Sequence, residues 1–324
     1  MSNPLLLHYI FDGKGGGENL SDKNINLFFN KKNFCWIHVD ASNPNDVKNF
    51  FIKHNLEIDP IILNALLAEE TRPRIETIGD EALLILRGVN LNDNELPEDM
   101  VSIRLWVTKN KIISARYRKL KAIGDIEESI KSKKGPRDSG EFIFMLINAL
   151  FTRIEPSVLN LDEETDLIEE QILDNPDIKL RESILNIRKK AIKFRRYMAP
   201  QRDVITKLCT SNFTWLNDLH LRHLQESNNN IIRYVEDLDA IRERAQIVKD
   251  EITNFLTDKM NKNLYILSVL TAIFLPLGFL TGLMGVNIAG MPGTQYLYAF
   301  WVFSFLLLII VTIQILIFKK LKWF

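Results

Sequence analysis

One helical face near the end of the chain carries the side chains that could hold an ion. Residues 263–318 contain no Asp, Glu, Lys or Arg, although 25% of the whole sequence is charged. Where this stretch begins, small, polar and leucine side chains recur at steps of three and four and so share one face of a helix. In a membrane helix such a face serves either close helix packing or the lining of a pore, and spacing alone does not separate the two. This polar face consists of Asn261, Leu264, Ser268, Thr271, Leu275, Gly278, Gly282 and Gly285.

The segment Gly285-Val286-Asn287 ends this helix and adds its strongest ligands. In a ring of copies it would present backbone carbonyls and the Asn287 amides. These neutral oxygen atoms suit a cation that keeps much of its water, because they include no thiolate or imidazole to strip the water away. The five histidines and both cysteines lie outside residues 263–318. We therefore expect ion binding without catalysis, and no resident cofactor.

Two apolar runs, Leu264–Val286 and Tyr296–Phe318, must position these side chains. Each run is long enough to cross about 30 Å of hydrocarbon as a helix. The connecting residues 287–295 are few and uncharged. The pattern predicts a helical hairpin in a lipid bilayer. The alternative to an ion-binding hairpin is one that serves only as a membrane anchor.

Lysines flank the hairpin and predict its orientation. Positive residues remain on the cytoplasmic side, so both termini should be cytoplasmic, with residues 287–295 outside and the basic tail 319–324 inside. The N-terminus lacks the basic segment and apolar core of a signal peptide, which keeps the preceding residues in the cytosol. We expect a multi-pass protein of the inner (cytoplasmic) membrane. The lysines are Lys259, Lys262, Lys319, Lys320 and Lys322.

Residues 1–137 have the pattern of an α/β domain. Helices should begin at Asn43-Pro44 and at Asp59-Pro60, where a capping side chain precedes a proline at the first helical position. The glycine cluster at 12–17 lacks the Gly-Lys-Ser/Thr ending of a nucleotide-binding loop and predicts a turn. Strands are predicted over Leu5–Phe11, Phe34–Val39, Ala82–Arg87, Val101–Thr108 and Lys111–Arg116.

Residues 138–216 predict a helical hairpin without strands. Its first helix, Phe142–Leu173, is acidic in its second half, and the helix after the turn at 175–177 is basic. The simplest interpretation is that the two helices neutralise each other as antiparallel neighbours. The alternative for the acidic cluster is a metal site.

Residues 217–286 predict one stalk helix that continues into the first membrane span, 264–286, because no Gly or Pro interrupts Asn217–Leu275. Such a helix would be about 100 Å long. Its apolar positions form a heptad-like seam that requires neighbouring helices. We expect an oligomer of parallel stalk helices to cover the seam. The seam residues are Ile231, Val235, Leu238, Ala245, Val248, Ile252 and Phe255, with Ile241 or Arg242 in the one gap.

The charge balance, the cysteines and the histidines of the chain limit its function further. The 41 basic and 41 acidic residues give no net charge, so nothing indicates nucleic-acid binding. Cys35 and Cys209 are far apart in sequence and fit reduced cytosolic thiols. His220 and His223 are three residues apart and could bind a metal only with a third ligand, so two surface histidines are the preferred interpretation.

Several segments together resemble the CorA family of divalent-cation transporters. Phe274-Leu275-Pro276-Leu277, Gly282-Leu283-Met284-Gly285-Val286-Asn287 and Met291-Pro292 are similar to the family signature, a Gly-Met-Asn at the end of the first of two C-terminal spans. Arg72–Glu76 and Ala199–Arg202 agree with further family landmarks, as does Asp239–Glu243. The resemblance implies a homopentameric funnel with an α+β cytoplasmic domain, a long stalk helix and a two-helix membrane hairpin.

One departure from the family pattern indicates which ion is transported. Val286 stands where methionine is usual, and Gly293 stands where an acidic residue is common. In these features, and in Leu86–Asn92, the chain is similar to the ZntB-type zinc-transporter branch of the family. The resemblance implies Zn²⁺ as the transported ion, with possible proton coupling. The alternatives are a Mg²⁺, Co²⁺ or Ni²⁺ channel of the same fold and a non-conducting membrane-anchored scaffold.

The resemblance also assigns residues. Asn287 matches the amide at the outer mouth that contacts the hydrated ion. Leu264, Leu267 and Leu275 match apolar constrictions, and Asn261 matches a polar ring at the cytosolic end. A regulatory aspartate pair of magnesium-type members aligns with Ala65 and Glu226. An alanine side chain cannot bridge a metal, so Glu226 is the one regulatory metal ligand that this pair could supply.

Overall fold

The computed structural model describes residues 3–20, 25, 33–56, 58–69, 72–174, 177–286, 291, 293 and 295–320. The chain divides into two compact units, residues 1–252 and 253–324. The expected boundaries near residues 137 and 217 both lie within the first unit.

The strands of the first unit are β1 (Leu5–Phe11), β2 (Gly17–Asn19), β3 (Cys35–Asp40), β4 (Arg74–Ile78), β5 (Glu81–Gly88), β6 (Val101–Val107) and β7 (Lys111–Arg116). Among the described residues they form a seven-stranded sheet in the order β2-β1-β3-β7-β6-β5-β4. Strands β3 and β7 are parallel, and the other neighbours are antiparallel. Strand β6 is buried along its whole length, and its polar residues Ser102 and Arg104, which alternate with apolar ones, are buried with the rest.

The sheet confirms the five predicted strands and adds two that the sequence reasoning missed. Strand β4 is an edge strand with only Ile75 buried, so it lacks an apolar pattern. Gly79, at φ 59°, and Asp80 form the two-residue turn into β5. A Gly-Asp pair between two short segments was the available signal for this hairpin. Strand β2 follows the glycine turn, where Asp12 Oδ1 accepts from the backbone N–H groups of Lys14 and Gly16.

The helices are α1 (Pro44–Lys53), α2 (Pro60–Leu66), α3 (Lys121–Lys131), α4 (Ser139–Asp174), α5 (Ile178–Cys209), α6 (Asp218–Met284) and α7 (Ala299–Lys320). Both predicted caps form, since Asn43 Oδ1 accepts from the N–H of Asn45 and Asp59 Oδ1 accepts from that of Ile61. The fold class is confirmed: a mixed sheet with flanking helices is followed by a very long helix, α6, and a second apolar helix, α7.

The seam of α6 from Ile231 to Ile252 is covered within one chain, whereas Phe255 at its end is 40% exposed. For the covered positions, the expectation that an oligomer must bury them is wrong. From Ile231 to Ile252 the seam positions are buried in the first unit, with Leu238 and Ala245 fully enclosed. Helix α4 contacts α6 through the rings of Phe151 and Tyr234, 6.3 Å apart. Helix α5 contacts it through a 2.9 Å hydrogen bond from Thr206 to Asn228. The seam therefore needs α4 and α5 as neighbours, and it is not an argument for an oligomer.

The acidic half of α4 is neutralised mainly by α6, which corrects the expected pairing with the basic helix α5. Arg244 of α6 makes ion pairs with Asp162, Asp166 and Glu169. These hydrogen bonds raise the pKa of Arg244 above its ordinary value, with Glu169 the largest contributor and Asp166 the next. Lys190 of α5 reaches α4 at Glu164, 3.7 Å away.

The alternative of a metal site in the acidic cluster is not supported. A guanidinium occupies the position between three of the carboxylates. In the described part of the chain, no group of three or more His, Cys, Asp or Glu side chains could hold a metal ion.

Three helices of the described chain are long and apolar enough to cross a membrane. The apolar window of α4 is 44% buried inside the first unit, where Phe142, Leu146 and Leu150 belong to the core. The corresponding windows of α6 and α7 are only 6% and 0% buried. These values separate a core helix, α4, from two helices whose apolar surface needs another covering.

Candidate functional site

In the second unit, the polar face of α6 is directed away from α7. Leu264, Leu267 and Leu275 are 53%, 60% and 67% exposed, and Asn261, Ser268, Thr271, Gly278 and Gly282 are also exposed. The opposite side of the helix is covered: Val269 is buried, and half-buried residues follow it at helical spacing. These are Ala272, Ile273, Pro276, Leu277 and Leu280. At about 100° per residue, the covered side is centred roughly opposite the polar face.

The glycines of the polar face do not serve packing within the chain. A Cβ atom added to Gly278 or to Gly282 would meet no atom within 4 Å, counting the neighbours that each glycine has here. Close approach of α7 would bring atoms into that space. The packing interpretation of these small residues therefore requires a second molecule, whereas the pore interpretation requires open space.

The hydroxyl groups of the face have their protons directed to the helix backbone. Ser268 Oγ donates to the carbonyl of Leu264, and Thr271 Oγ1 donates to that of Leu267, each over 2.8 Å. Because the single O–H is used in this way, the hydroxyl oxygen presents lone pairs toward its open side. Both groups are thus acceptors, which suits a cation or its bound water and does not suit an anion.

The outer end of the face is described only in part. Gly285 closes the helix by donating its N–H to the carbonyl of Thr281 over 2.9 Å, and Val286 is 44% exposed. Asn287, the predicted ligand at the mouth, lies outside the described residues, as do residues 288–290. The assignment of Gly285, Val286 and Asn287 as the pore mouth stays a prediction.

The other candidate ligands are separate from this face. Ala65 lies in α2 and is half-buried against the core of the first unit, and Glu226 is exposed on α6. His220 is buried with Nε2 3.5 Å from Asp138, and the ring of His223 stacks on Phe144 at 4.4 Å. The surface position expected for both histidines is therefore wrong for His220, which is buried at 6% exposure.

Sequence reasoning missed one polar residue of the second span. Gln314 of α7 lies half-buried, and its Nε2 is 3.4 Å from the backbone oxygen of Ala272 on the covered side of α6. The signal was present, because Gln314 carries the one amide side chain between Tyr296 and Phe318. An amide within a membrane span is costly unless it is paired.

Comparison with known proteins agrees with this architecture. A family model described as CorA-like Mg²⁺ transporter protein matches residues 31–320. The divalent cation transporter CmaX of Pseudomonas aeruginosa is 32% identical over 322 residues, which cover 98% of this chain and 96% of the relative. The zinc transport protein ZntB of Pectobacterium atrosepticum is 35% identical over 315 residues, which cover 97% and 94%. A solved structure of full-length CmaX matches with a TM-score of 0.86 at 31% identity, covering 100% and 99%.

The fold and these matches define a transporter of divalent cations, and not an enzyme. The chain belongs to the CorA family.

Proposed function

We propose that this protein transports Zn²⁺ across the cytoplasmic membrane through a central pore formed by several copies of the chain, with the polar face of α6 lining the path. The observation that carries the proposal is the exposure of that face on the side away from α7. Its acceptor hydroxyls, unfilled glycine positions and leucine constrictions suit a hydrated cation.

The choice of zinc rests on sequence. Val286 and Gly293 depart from the magnesium-type pattern, and a relative of 35% identity is a zinc transport protein. The CmaX relative is a divalent cation transporter without a stated ion, so a Mg²⁺, Co²⁺ or Ni²⁺ channel is the second candidate. Zinc prefers His, Cys or carboxylate ligands, and residues 263–318 contain none. Selection therefore acts through the water bound to the ion and is weak, so that Ni²⁺, Co²⁺ and Cd²⁺ compete with Zn²⁺.

The proposal includes the assembly and its orientation. The subunits form a homopentamer in the lipid bilayer, both termini are cytoplasmic, and residues 287–295 face outward. The lysines on both sides of the hairpin support this orientation. Ala65 and Glu226 align with the two aspartates of the regulatory pair, and Glu226 alone does not suffice for metal-gated closure. Proton coupling, if it operates, uses carboxylates or histidines outside residues 263–318, because none lies within them.

The test is ion uptake by liposomes that contain the purified protein, measured with a Zn²⁺ or Mg²⁺ indicator inside. Zinc uptake that Ni²⁺, Co²⁺ and Cd²⁺ inhibit supports the proposal. Magnesium uptake without zinc uptake favours the second candidate. If neither ion enters, the protein is a non-conducting scaffold and both transport functions are rejected. Repeating the zinc assay with an imposed pH gradient tests proton coupling.

A further inference from the structure

Pro276 creates a local problem within the first span. In an α-helix the N–H of residue 276 would donate to the carbonyl of residue 272. Proline has no N–H, so Ala272 loses that donor. No water is available in the hydrocarbon core to replace it. Ala272 and Pro276 both lie on the covered side of α6.

Gln314 of α7 supplies a donor at this position. Its Nε2 lies 3.4 Å from the oxygen of Ala272, which is at the long end of hydrogen-bond distances. The other amide atom, Oε1, is buried and has no hydrogen-bond partner within the described chain. A buried amide with one unpaired atom can stabilise the helix pair only through the hydrogen bond that its other atom makes. The bond to Ala272 is therefore what the amide contributes here.

We propose that Gln314 is a positioning residue for transport: it donates to the carbonyl that Pro276 leaves without a partner and so fixes the rotation of α6 against α7. The inference rests on the proposed function of the polar face. Thr271 and Leu275 each directly precede a member of this contact, and both side chains are exposed on the opposite side. Holding Ala272 and Pro276 against α7 holds Thr271 and Leu275 toward the ion path.

A substitution pair separates this role from ordinary packing. Gln314→Met keeps the length of the side chain and removes the donor. Pro276→Ala restores a backbone N–H for Ala272, which makes the Gln314 donor redundant. Interacting residues give effects that depend on each other, whereas independent ones add. Thr312→Val is the matched control, because the Thr312 hydroxyl donates to Leu308 within α7 itself.

The experiment measures zinc uptake in liposomes and the Tm in detergent for the wild type, both single variants, the double variant and the control. Gln314→Met should lower uptake about threefold, the typical worth of an interhelical hydrogen bond in a membrane, and should lower the Tm. In the Pro276→Ala background the same change should have little effect on either. Thr312→Val should resemble the wild type.

Equal losses from Gln314→Met in both backgrounds, or no loss in either, would overturn the proposal. If Gln314→Met does not fold alone, recovery of the folded protein in the double variant supports the proposal and continued failure rejects it. Absence of uptake in the wild type rejects the proposed function instead. The Tm values then still decide whether Gln314 serves the carbonyl left by Pro276.

Discussion

At the scale of single residues, the polar face offers oxygen atoms without charge. Ser268 and Thr271 direct their hydroxyl protons to backbone carbonyls, so their exposed sides accept hydrogen bonds. In the proposed pore, Leu264 and Leu275 are apolar constrictions on either side of these two residues. An ion that passed such groups would give up little of its water, since no ligand there replaces the hydration of a divalent cation. The weak selection proposed above follows from this chemistry.

Replacement of Asn287 tests the mouth of the path. Asn287→Ala should abolish or strongly reduce zinc uptake while the oligomer stays intact, because it removes the side-chain amide proposed to contact the hydrated ion. Uptake and size-exclusion elution are the measurements. Asn229→Ala, at an exposed asparagine of α6 in the first unit, is the matched control. Unchanged uptake by Asn287→Ala would reject the role of this residue.

His38 makes the first unit sensitive to acid. It is fully buried on β3, with Nδ1 2.7 Å from Ser114 Oγ, and the same hydroxyl oxygen accepts a hydrogen bond from Trp36 Nε1 at 2.8 Å. Burial, with a smaller contribution from Arg116, lowers the pKa of His38 to about 3. The unfolded chain binds this proton near pH 6.5. Its contribution to stability is thus complete above pH 6.5 and is lost as the pH falls toward 3.

The expected result is a fall in the free energy of unfolding by several kcal/mol over that range, from this group alone. His38→Gln, which stays neutral, should flatten the pH dependence, and His54→Gln should not. Denaturant unfolding followed by the fluorescence of Trp36 and the other tryptophans measures both. An identical pH dependence in the wild type and His38→Gln would contradict the assignment.

At the scale of elements, the sequence predicts the spans of α6 and α7 well and predicts contacts between helices poorly. A stretch without charge identifies a membrane helix from local composition alone. Which basic side chain pairs with an acidic helix depends on the tertiary fold, not on nearness in sequence. Arg244 lies 75 residues beyond Glu169, and the basic helix α5 was closer in sequence. The heptad-like seam likewise indicated a neighbour for α6 and could not say that α4 and α5 supply it.

The carboxylate group around Arg244 gives a test of this packing. Arg244→Gln should destabilise the protein by about 1 kcal/mol, because the pairs are partly exposed and each is worth little alone. Adding Asp166→Asn should recover part of the loss by removing one uncompensated charge. Arg222→Gln, at an exposed site on α6, is the control. Chemical denaturation measures the wild type and the three variants, and an unchanged stability of Arg244→Gln would contradict the arrangement.

Across the whole molecule, the two units differ in how much of α6 they cover. The first unit buries the seam positions of α6 from Ile231 to Ile252. The second unit covers one side of α6 with α7 and leaves the polar face open. The candidate site was predictable as a helical face from spacing. Its exposure, with the empty space beside Gly278 and Gly282, excludes packing of these glycines against α7 and could not be read from the sequence.

Thiol accessibility along α6 distinguishes a face that lines the ion path from one that packs against α7. In a background with Cys35→Ala and Cys209→Ser, cysteine is placed at Thr271 on the polar face or at Leu277 on the covered side. A small cationic thiol reagent is applied after removal of metal, and zinc uptake is then measured. The account predicts that the reagent blocks uptake through Thr271→Cys and leaves Leu277→Cys unaffected. Block at Leu277→Cys with no effect at Thr271→Cys would contradict it.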